Sequence, residues 1–192
     1  MANVMNAAQR NRIHPHKFTL WVGIGSIIMM FAGLTSAYIV KRSQANWEML
    51  EIPSVFWIST VTILLSSLTM YLSVKSFGER NMPRYRTMLI LTAILGAVFL
   101  VMQIMGFMQY ANMDIRLVGA GSNASHSFVL AIAGLHGLHV LGGVVALTII
   151  ALKAVSPRTK SYNNVPVEVI ATYWHFVDIL WIYLILFFNW MR

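Results

Sequence analysis

Five long runs without Asp, Glu, Lys or Arg constrain this 192-residue chain more than any other feature of its sequence. A helix needs about 20 apolar residues to cross a hydrocarbon core roughly 30 Å thick, and 58% of the chain is hydrophobic. The pattern therefore predicts an all-α integral membrane protein, a single bundle of five transmembrane helices. The predicted helices cover about residues 18–40, 54–74, 87–110, 125–153 and 168–190.

The basic residues flank these runs unevenly and therefore predict a topology. Ten Lys and Arg residues lie on one side of the predicted bundle, in the N-terminal segment 1–17 and in the second and fourth connections, and four lie on the other side. Cytoplasmic loops are enriched in Lys and Arg. We therefore expect segment 1–17 and the N-terminus to be cytoplasmic and the C-terminus to be external, or periplasmic.

Composition also excludes several classes of function. The net charge of +8 comes from residues at the ends of apolar segments, so it favours a topological signal over a nucleic-acid partner. The chain contains no cysteine, which excludes disulfides, thiolate metal sites and cysteine nucleophiles. The first 17 residues are polar and the first apolar run is a full span, so we expect no cleaved signal peptide.

Two ionisable residues interrupt the last apolar run. His175 and Asp178 lie three residues apart in the segment ATYWHFVDILWIYLIL, and this spacing places two side chains on one face of a helix. An ionisable pair inside a bilayer is unfavourable unless it has partners on a neighbouring helix or in a polar cavity. The pair is therefore a candidate functional site.

The fourth span repeats this spacing with His136 and His139, in the glycine-rich segment GLHGLHVLGG. Counted along the predicted helices 125–153 and 168–190, His139 and Asp178 each lie close to the middle of their helix. Consecutive helices should be antiparallel, so both residues fall at similar depth. This depth predicts a hydrogen bond or ion pair between His139 and Asp178, with His136 and His175 above and below it.

Three interpretations of this polar cluster remain open. The histidines could ligate haem or a metal, although two ligands three residues apart on one helix cannot reach opposite faces of one haem. The cluster could be a proton relay, as intramembrane ionisable residues often are. The third interpretation is mutual hydrogen bonding that locks two helices together, with the glycines allowing close approach.

The last span is also unusually aromatic. Aromatic residues are enriched at membrane surfaces, and they can pack in the bundle or contact acyl chains. Basic residues on the cytoplasmic side can hold lipid headgroups. The resulting candidates for lipid contact are Trp174, Trp181, Arg84, Arg158 and Lys160.

Two motifs in the fourth and fifth spans resemble a known family. HGLHV at 136–140 and YWHFVDILW at 173–181 closely resemble the strongest signatures of the cytochrome c oxidase subunit III family, subunit III of haem-copper terminal oxidases. Weaker similarity runs back through Gln103, Pro53 and residues 33–43 to about His14. The resemblance therefore covers nearly the whole chain, in a short, five-helix form of the family.

The resemblance implies an accessory, non-redox subunit of a proton-pumping cytochrome c oxidase in aerobic respiration, in the bacterial cytoplasmic (inner) membrane. Such subunits bind no haem, copper or other metal and have no catalytic residues of their own, whereas the complex is an oxygen-reducing oxidoreductase. They pack on subunit I, the main partner, and subunit II is a second partner. Haem and copper are expected in these partner subunits. They hold structural phospholipid in a helix cleft and support proton uptake. A larger respiratory supercomplex is left open, and no nucleic acid is implied.

The sequence departs from the family pattern at two positions. Many members have a glutamate in the first of these helices, where this chain has Ile27, and a second one after the glutamine, where this chain has Gly106 and Phe107. Any proton or lipid role of those carboxylates is therefore in doubt here. Two alternatives also remain: subunit III of a quinol oxidase, and a haem- or quinone-binding membrane anchor subunit.

Overall fold

The computed structural model describes residues 15–43, 47, 52–112, 123–155 and 164–191. This part of the chain forms five α-helices: α1 (Pro15–Arg42), α2 (Ser54–Gly78), α3 (Met82–Asn112), α4 (Ala124–Val155) and α5 (Asn164–Trp190). All five are long and apolar enough to cross a membrane. The prediction of an all-α protein with five spanning helices is thus confirmed.

The helices extend beyond the predicted spans. For example, α2 continues past Lys75 to Gly78, and α3 begins at Met82, before Arg84. The charge-free runs mark the part of each helix that is apolar, whereas helical hydrogen bonding continues into segments where basic side chains can reach the headgroup region. Similarly, α1 begins at Pro15, inside the predicted lead-in 1–17, whose first fourteen residues lie outside the described part of the chain.

Four of the helices form a closed bundle. Among the described residues, α2 packs on α3, α3 on α4, α4 on α5, and α5 on α2. The fifth helix, α1, packs on α4 and α5, and within the described residues its backbone does not approach α2 or α3. Of the five helices, α5 has the largest buried share, and it contacts α1, α2 and α4.

The buried residues of α2 and α3 follow the spacing of a left-handed bundle. In both helices the buried positions alternate between steps of three and four residues, which is the heptad spacing of helices that cross at a shallow angle. Large apolar residues alternate with serines in α2: Phe56, Ser59, Ile63, Ser66, Met70 and Ser73. In α3 the buried positions are Tyr85, Leu89, Thr92, Gly96, Phe99, Gln103, Gly106 and Tyr110. Small residues on these faces leave room for aromatic side chains from the opposite helices.

Polar contacts join α1 to α5 at three levels. Lys17 Nζ lies 2.6 Å from Glu168 Oε2 at one end, and near the other end Arg42 Nη1 approaches the Met191 sulfur at 3.6 Å. Between them, the Tyr183 hydroxyl donates to Thr35 Oγ1 at 3.2 Å. Polar groups thus join α1 to α5 near both ends of the pair and between them.

Candidate functional site

The indole of Trp174, on α5, occupies the centre of the four-helix bundle. It is fully buried, and its Nε1 donates to Ser66 Oγ of α2 at 3.1 Å. A Cβ added at Gly96 of α3 would lie 2.6 Å from the Trp174 ring, and one added at Gly143 of α4 would lie 2.8 Å from it. The ring therefore fits a slot that exists because both positions are glycine, and it contacts all three neighbouring helices of the bundle.

Trp181 lies two turns along α5 and forms a second aromatic layer around His136. The His136 ring stacks on Trp181 with 5.2 Å between ring centroids and meets Phe99 edge-on at 6.1 Å and Phe31 edge-on at 6.5 Å. Trp181 Nε1 donates to Thr60 Oγ1 of α2 at 3.0 Å. His136 is fully buried, and neither ring nitrogen has a hydrogen bond.

The expectation that Trp174 and Trp181 contact lipid is wrong. The exposed fractions of these residues are 0% and 1%, respectively. The two tryptophans are seven residues apart, so they lie on the same face of α5, and this face points into the bundle. The outermost tryptophan of α5, Trp190, is 80% exposed and so remains compatible with an aromatic belt at the membrane surface.

His175 and Asp178 face α2, and Ser67 lies between them. Ser67 Oγ and His175 Nδ1 are 2.7 Å apart. The Ser67 hydroxyl is also near enough to interact electrostatically with the Asp178 carboxyl, although neither carboxyl oxygen has a hydrogen bond of ordinary geometry. Asp178 is only 2% exposed. The structure thus groups the pair on α5 with a hydroxyl on α2.

The predicted bond between His139 and Asp178 is wrong. His139 Nδ1 instead donates to the Leu135 carbonyl of its own helix at 2.7 Å. The backbone carbonyl of His139 accepts the Tyr173 hydroxyl at 3.0 Å, so α4 and α5 are joined at this level by another pair of groups. Equal depth did not bring the two side chains together, because the rotation of α5 about its axis turns Asp178 toward α2.

Ser67, Ser66 and Thr60 are the residues of this region that sequence reasoning missed. Hydroxyl groups in membrane helices commonly bond to their own backbone, and several on α2 do so, including Ser59 and Thr60 to the Phe56 carbonyl, each at 2.8 Å. Two features of the sequence could have indicated these residues. Serines recur along α2 at heptad spacing, and α5 carries indole and imidazole groups whose N–H donors need acceptors.

The two positions where the family's glutamates are absent are filled by apolar packing. At Gly106 an added Cβ would lie 2.7 Å from the Phe56 ring, so the α2–α3 contact leaves no space for a longer side chain. Ile27 is half-buried and packs against the apolar cluster between α1, α4 and α5. Apolar side chains thus surround both positions.

The remaining predicted lipid contacts are only partly described. Arg84 lies in the first turn of α3 and is exposed, so it is accessible to headgroups, and lipid contact there stays a prediction. Arg158 and Lys160 lie outside the described residues.

One cavity and the grouping of donor side chains bear on whether the chain can hold a cofactor. An apolar cavity of about 30 Å³ lies beside Trp181, lined also by Phe56, Tyr110 and Ala133, whereas pockets for small-molecule ligands measure about 300–1,000 Å³. Within the described ranges, no three His, Asp or Glu side chains are grouped as metal ligands. The packing of aromatic rings around His136 likewise leaves no space for a haem at that imidazole.

Comparison with known proteins identifies the family. A sequence model described as "Cytochrome c oxidase subunit III" matches residues 45–192. The chain is 29% identical over 187 residues to a probable cytochrome c oxidase subunit 3 of Nocardia farcinica, covering 92% of this chain and 91% of that protein. It is 25% identical to cytochrome c oxidase subunit 3 of Bacillus sp. PS3, over 85% of this chain and 80% of that one.

Relatives named quinol oxidase subunit 3 have a similar sequence identity to this chain. The chain is 27% identical to a probable quinol oxidase subunit 3 of Staphylococcus saprophyticus, over 88% of this chain and 85% of that protein. The match to the family model spans α2 to α5 and includes the HGLHV and YWHFVDILW motifs. The chain therefore belongs to the cytochrome c oxidase subunit III family and is a multi-pass membrane subunit of a haem-copper oxidase.

Proposed function

We propose that this chain is the accessory, non-redox subunit III of a proton-pumping cytochrome c oxidase in the bacterial cytoplasmic membrane. In this role it stabilises subunit I beside subunit II, supports proton uptake and holds structural phospholipid, with its N-terminus in the cytoplasm and its C-terminus outside. The observation that supports it best is the packing around His136. Because aromatic rings of Trp181, Phe99 and Phe31 surround that imidazole, it is unsuited to ligate a haem.

Purification tests this proposal directly. When the tagged chain is isolated from its native membranes in a mild detergent, we expect a haem- and copper-bearing subunit I to be recovered with it. After the subunits are dissociated, the Soret absorption should remain with the partner, because His136 is enclosed by aromatic rings. A Soret band that stays with this polypeptide would contradict the proposal and favour the haem-binding anchor.

Quinol oxidation is the second candidate, because relatives named quinol oxidase subunit 3 match at similar identity. The electron donor is a property of the assembled complex. Turnover of the purified complex with reduced cytochrome c, compared with turnover with a quinol, distinguishes the two. A complex that oxidises only quinol would assign the chain to the quinol oxidases and leave its accessory role unchanged.

We further propose that Ser67, His175 and Asp178 exchange a proton within the membrane. Ser67 lies within hydrogen-bond distance of His175 and near Asp178, so the three groups form a short chain between α2 and α5. A buried carboxyl without a hydrogen bond is unfavourable for stability. A role in locking the helices is therefore better assigned to the indole bonds of Trp174 and Trp181.

Replacing Asp178 by leucine distinguishes these roles. Because the carboxyl has no hydrogen bond, Asp178→Leu should leave the melting temperature of the complex unchanged or raise it. Turnover or proton pumping should fall if the carboxyl exchanges protons. The two activities are measured in reconstituted vesicles, with Asp178→Asn as the isosteric control. A fall in stability with normal turnover would assign Asp178 to helix packing alone.

A further inference from the structure

The surface of α5 between α1 and α2 forms an open groove. Both α1 and α2 pack on α5, yet within the described residues they do not contact each other. The exposed strip of α5 between them includes Ile179, which is 65% exposed, and Leu186, which is 56% exposed. On the α2 side the groove is bordered by Leu64 and Tyr71, which are both exposed. We call this surface the α1–α2 groove.

A half-buried imidazole lies in this groove at the middle of the membrane span. His175 is on the same face of α5 as Ile179 and Leu186, by helical periodicity, and is half-buried. His175 lies about 16 Å from the start of α5, which is about 40 Å long. The part of α5 that can span the membrane is Val165–Trp190. Lipid tails offer no hydrogen bond at this depth.

Only one of the two ring nitrogens of His175 has a hydrogen bond within the described part of this chain. Nδ1 is bonded to Ser67 Oγ, whereas Nε2 has no hydrogen bond to any residue in the described ranges. Behind it, the Asp178 carboxyl is buried and also lacks a hydrogen bond. Half-exposed ring atoms and a buried carboxyl at mid-membrane depth favour coverage by protein over coverage by lipid, because polar groups inside membranes pair with other polar groups.

We propose that the α1–α2 groove is the surface on which a transmembrane helix of another oxidase subunit packs, with a hydrogen-bonding group opposite His175 Nε2. Neighbouring helices pack about 8–10 Å apart, so a groove between two helices on a common third helix accommodates one more. The inference rests on the proposed function, because it requires that the chain works in a multi-subunit oxidase. The partner group is a hydroxyl, amide, carboxyl or unpaired backbone carbonyl.

The absence of cysteine from the sequence permits a clean crosslinking test. Single variants Ile179→Cys and Leu138→Cys are labelled with a photoactivatable maleimide in native membranes. Leu138 is a matched control, because it is 62% exposed, lies near the middle of α4, and is on a helix that does not border the groove. We expect Ile179→Cys to capture a transmembrane segment of a second polypeptide in several-fold excess over the control, as identified by mass spectrometry.

The outcomes separate the inference from the proposed function. If Ile179→Cys captures only lipid, or no more polypeptide than Leu138→Cys, while a haem-bearing subunit still co-purifies, the groove is not the interface and the proposed function stands. If no haem-bearing subunit co-purifies, both are overturned.

A second pair of variants tests the polar contact itself. His175→Leu removes the outward-facing nitrogen, and we expect the fraction of chain retained with its partner in detergent to fall about three- to twentyfold, the effect of one hydrogen bond between membrane helices. Ser67→Ala removes only the inner bond and should retain near-normal association. Equal losses in both variants, at equal melting temperatures, would assign His175 to internal packing and overturn the contact.

Discussion

Trp174→Ala is expected to lower the free energy of unfolding by about 3–5 kcal/mol, the largest effect of any substitution that we predict. The side chain is fully buried where four helices meet, and its removal leaves a cavity between Gly96 and Gly143. It also leaves the Ser66 hydroxyl without its indole donor. The melting temperature in detergent, followed by circular dichroism, should fall by about 6–20 °C.

Trp190→Ala is the matched control, because Trp190 is on the same helix and is 80% exposed. Its melting temperature should differ little from that of the unaltered chain. Trp174→Phe should have an intermediate effect, since it keeps most of the apolar ring and loses the bond to Ser66, which is worth about 1 kcal/mol. Similar melting temperatures for Trp174→Ala and Trp190→Ala would contradict a central role for Trp174.

Gly143→Ala is expected to destabilise the bundle by about 1–3 kcal/mol, the usual effect of overpacking. The added Cβ would lie 2.8 Å from the Trp174 ring and 3.3 Å from that of Tyr173, so the buried indole would have to move. The neighbouring Gly142→Ala meets nothing within 4 Å and should be neutral or stabilising, since alanine favours helix more than glycine does. Thermal unfolding of both variants measures the difference.

A double-mutant cycle tests the cause of this effect. If the contact with the indole is responsible, Gly143→Ala should have little effect in a chain that already carries Trp174→Ala, because the cavity accepts the added methyl group. Additive losses would show that Gly143 matters for another reason. The same cycle at Gly96 is expected to give the same sign, because its Cβ would lie 2.6 Å from the ring.

The number and type of helices could be predicted from the sequence because the bilayer imposes a simple requirement on it. Runs free of charge must be long enough to cross the hydrocarbon core, and each of the five corresponds to a helix. The ends of the helices were less well predicted, since basic side chains near a membrane surface are compatible with continued helix.

The candidate site was harder to predict, because the depth of a residue in the membrane does not determine the direction in which its side chain points around the helix. Residue counting gave the depth of His139 and Asp178 within their helices, but the face that α5 presents to each neighbour depends on how three other helices pack on it. For the same reason the aromatic residues of α5 suggested lipid contact, whereas Trp174 and Trp181 are in the core. The sequence shows that residues 96 and 143 are glycines, but it does not show that Gly96 and Gly143 both pack against Trp174 of a third helix.

The one-sided packing of α1 has a consequence for biosynthesis. Chains are made from the N-terminus, so α1 enters the bilayer before α2 and α3 and well before its packing partners, α4 and α5. Its hydroxyl groups suit this interval, because Thr19, Ser26 and Thr35 bond to carbonyls one turn earlier in their own helix. Helix α1 can therefore remain in lipid without a packing partner until α4 and α5 have been inserted.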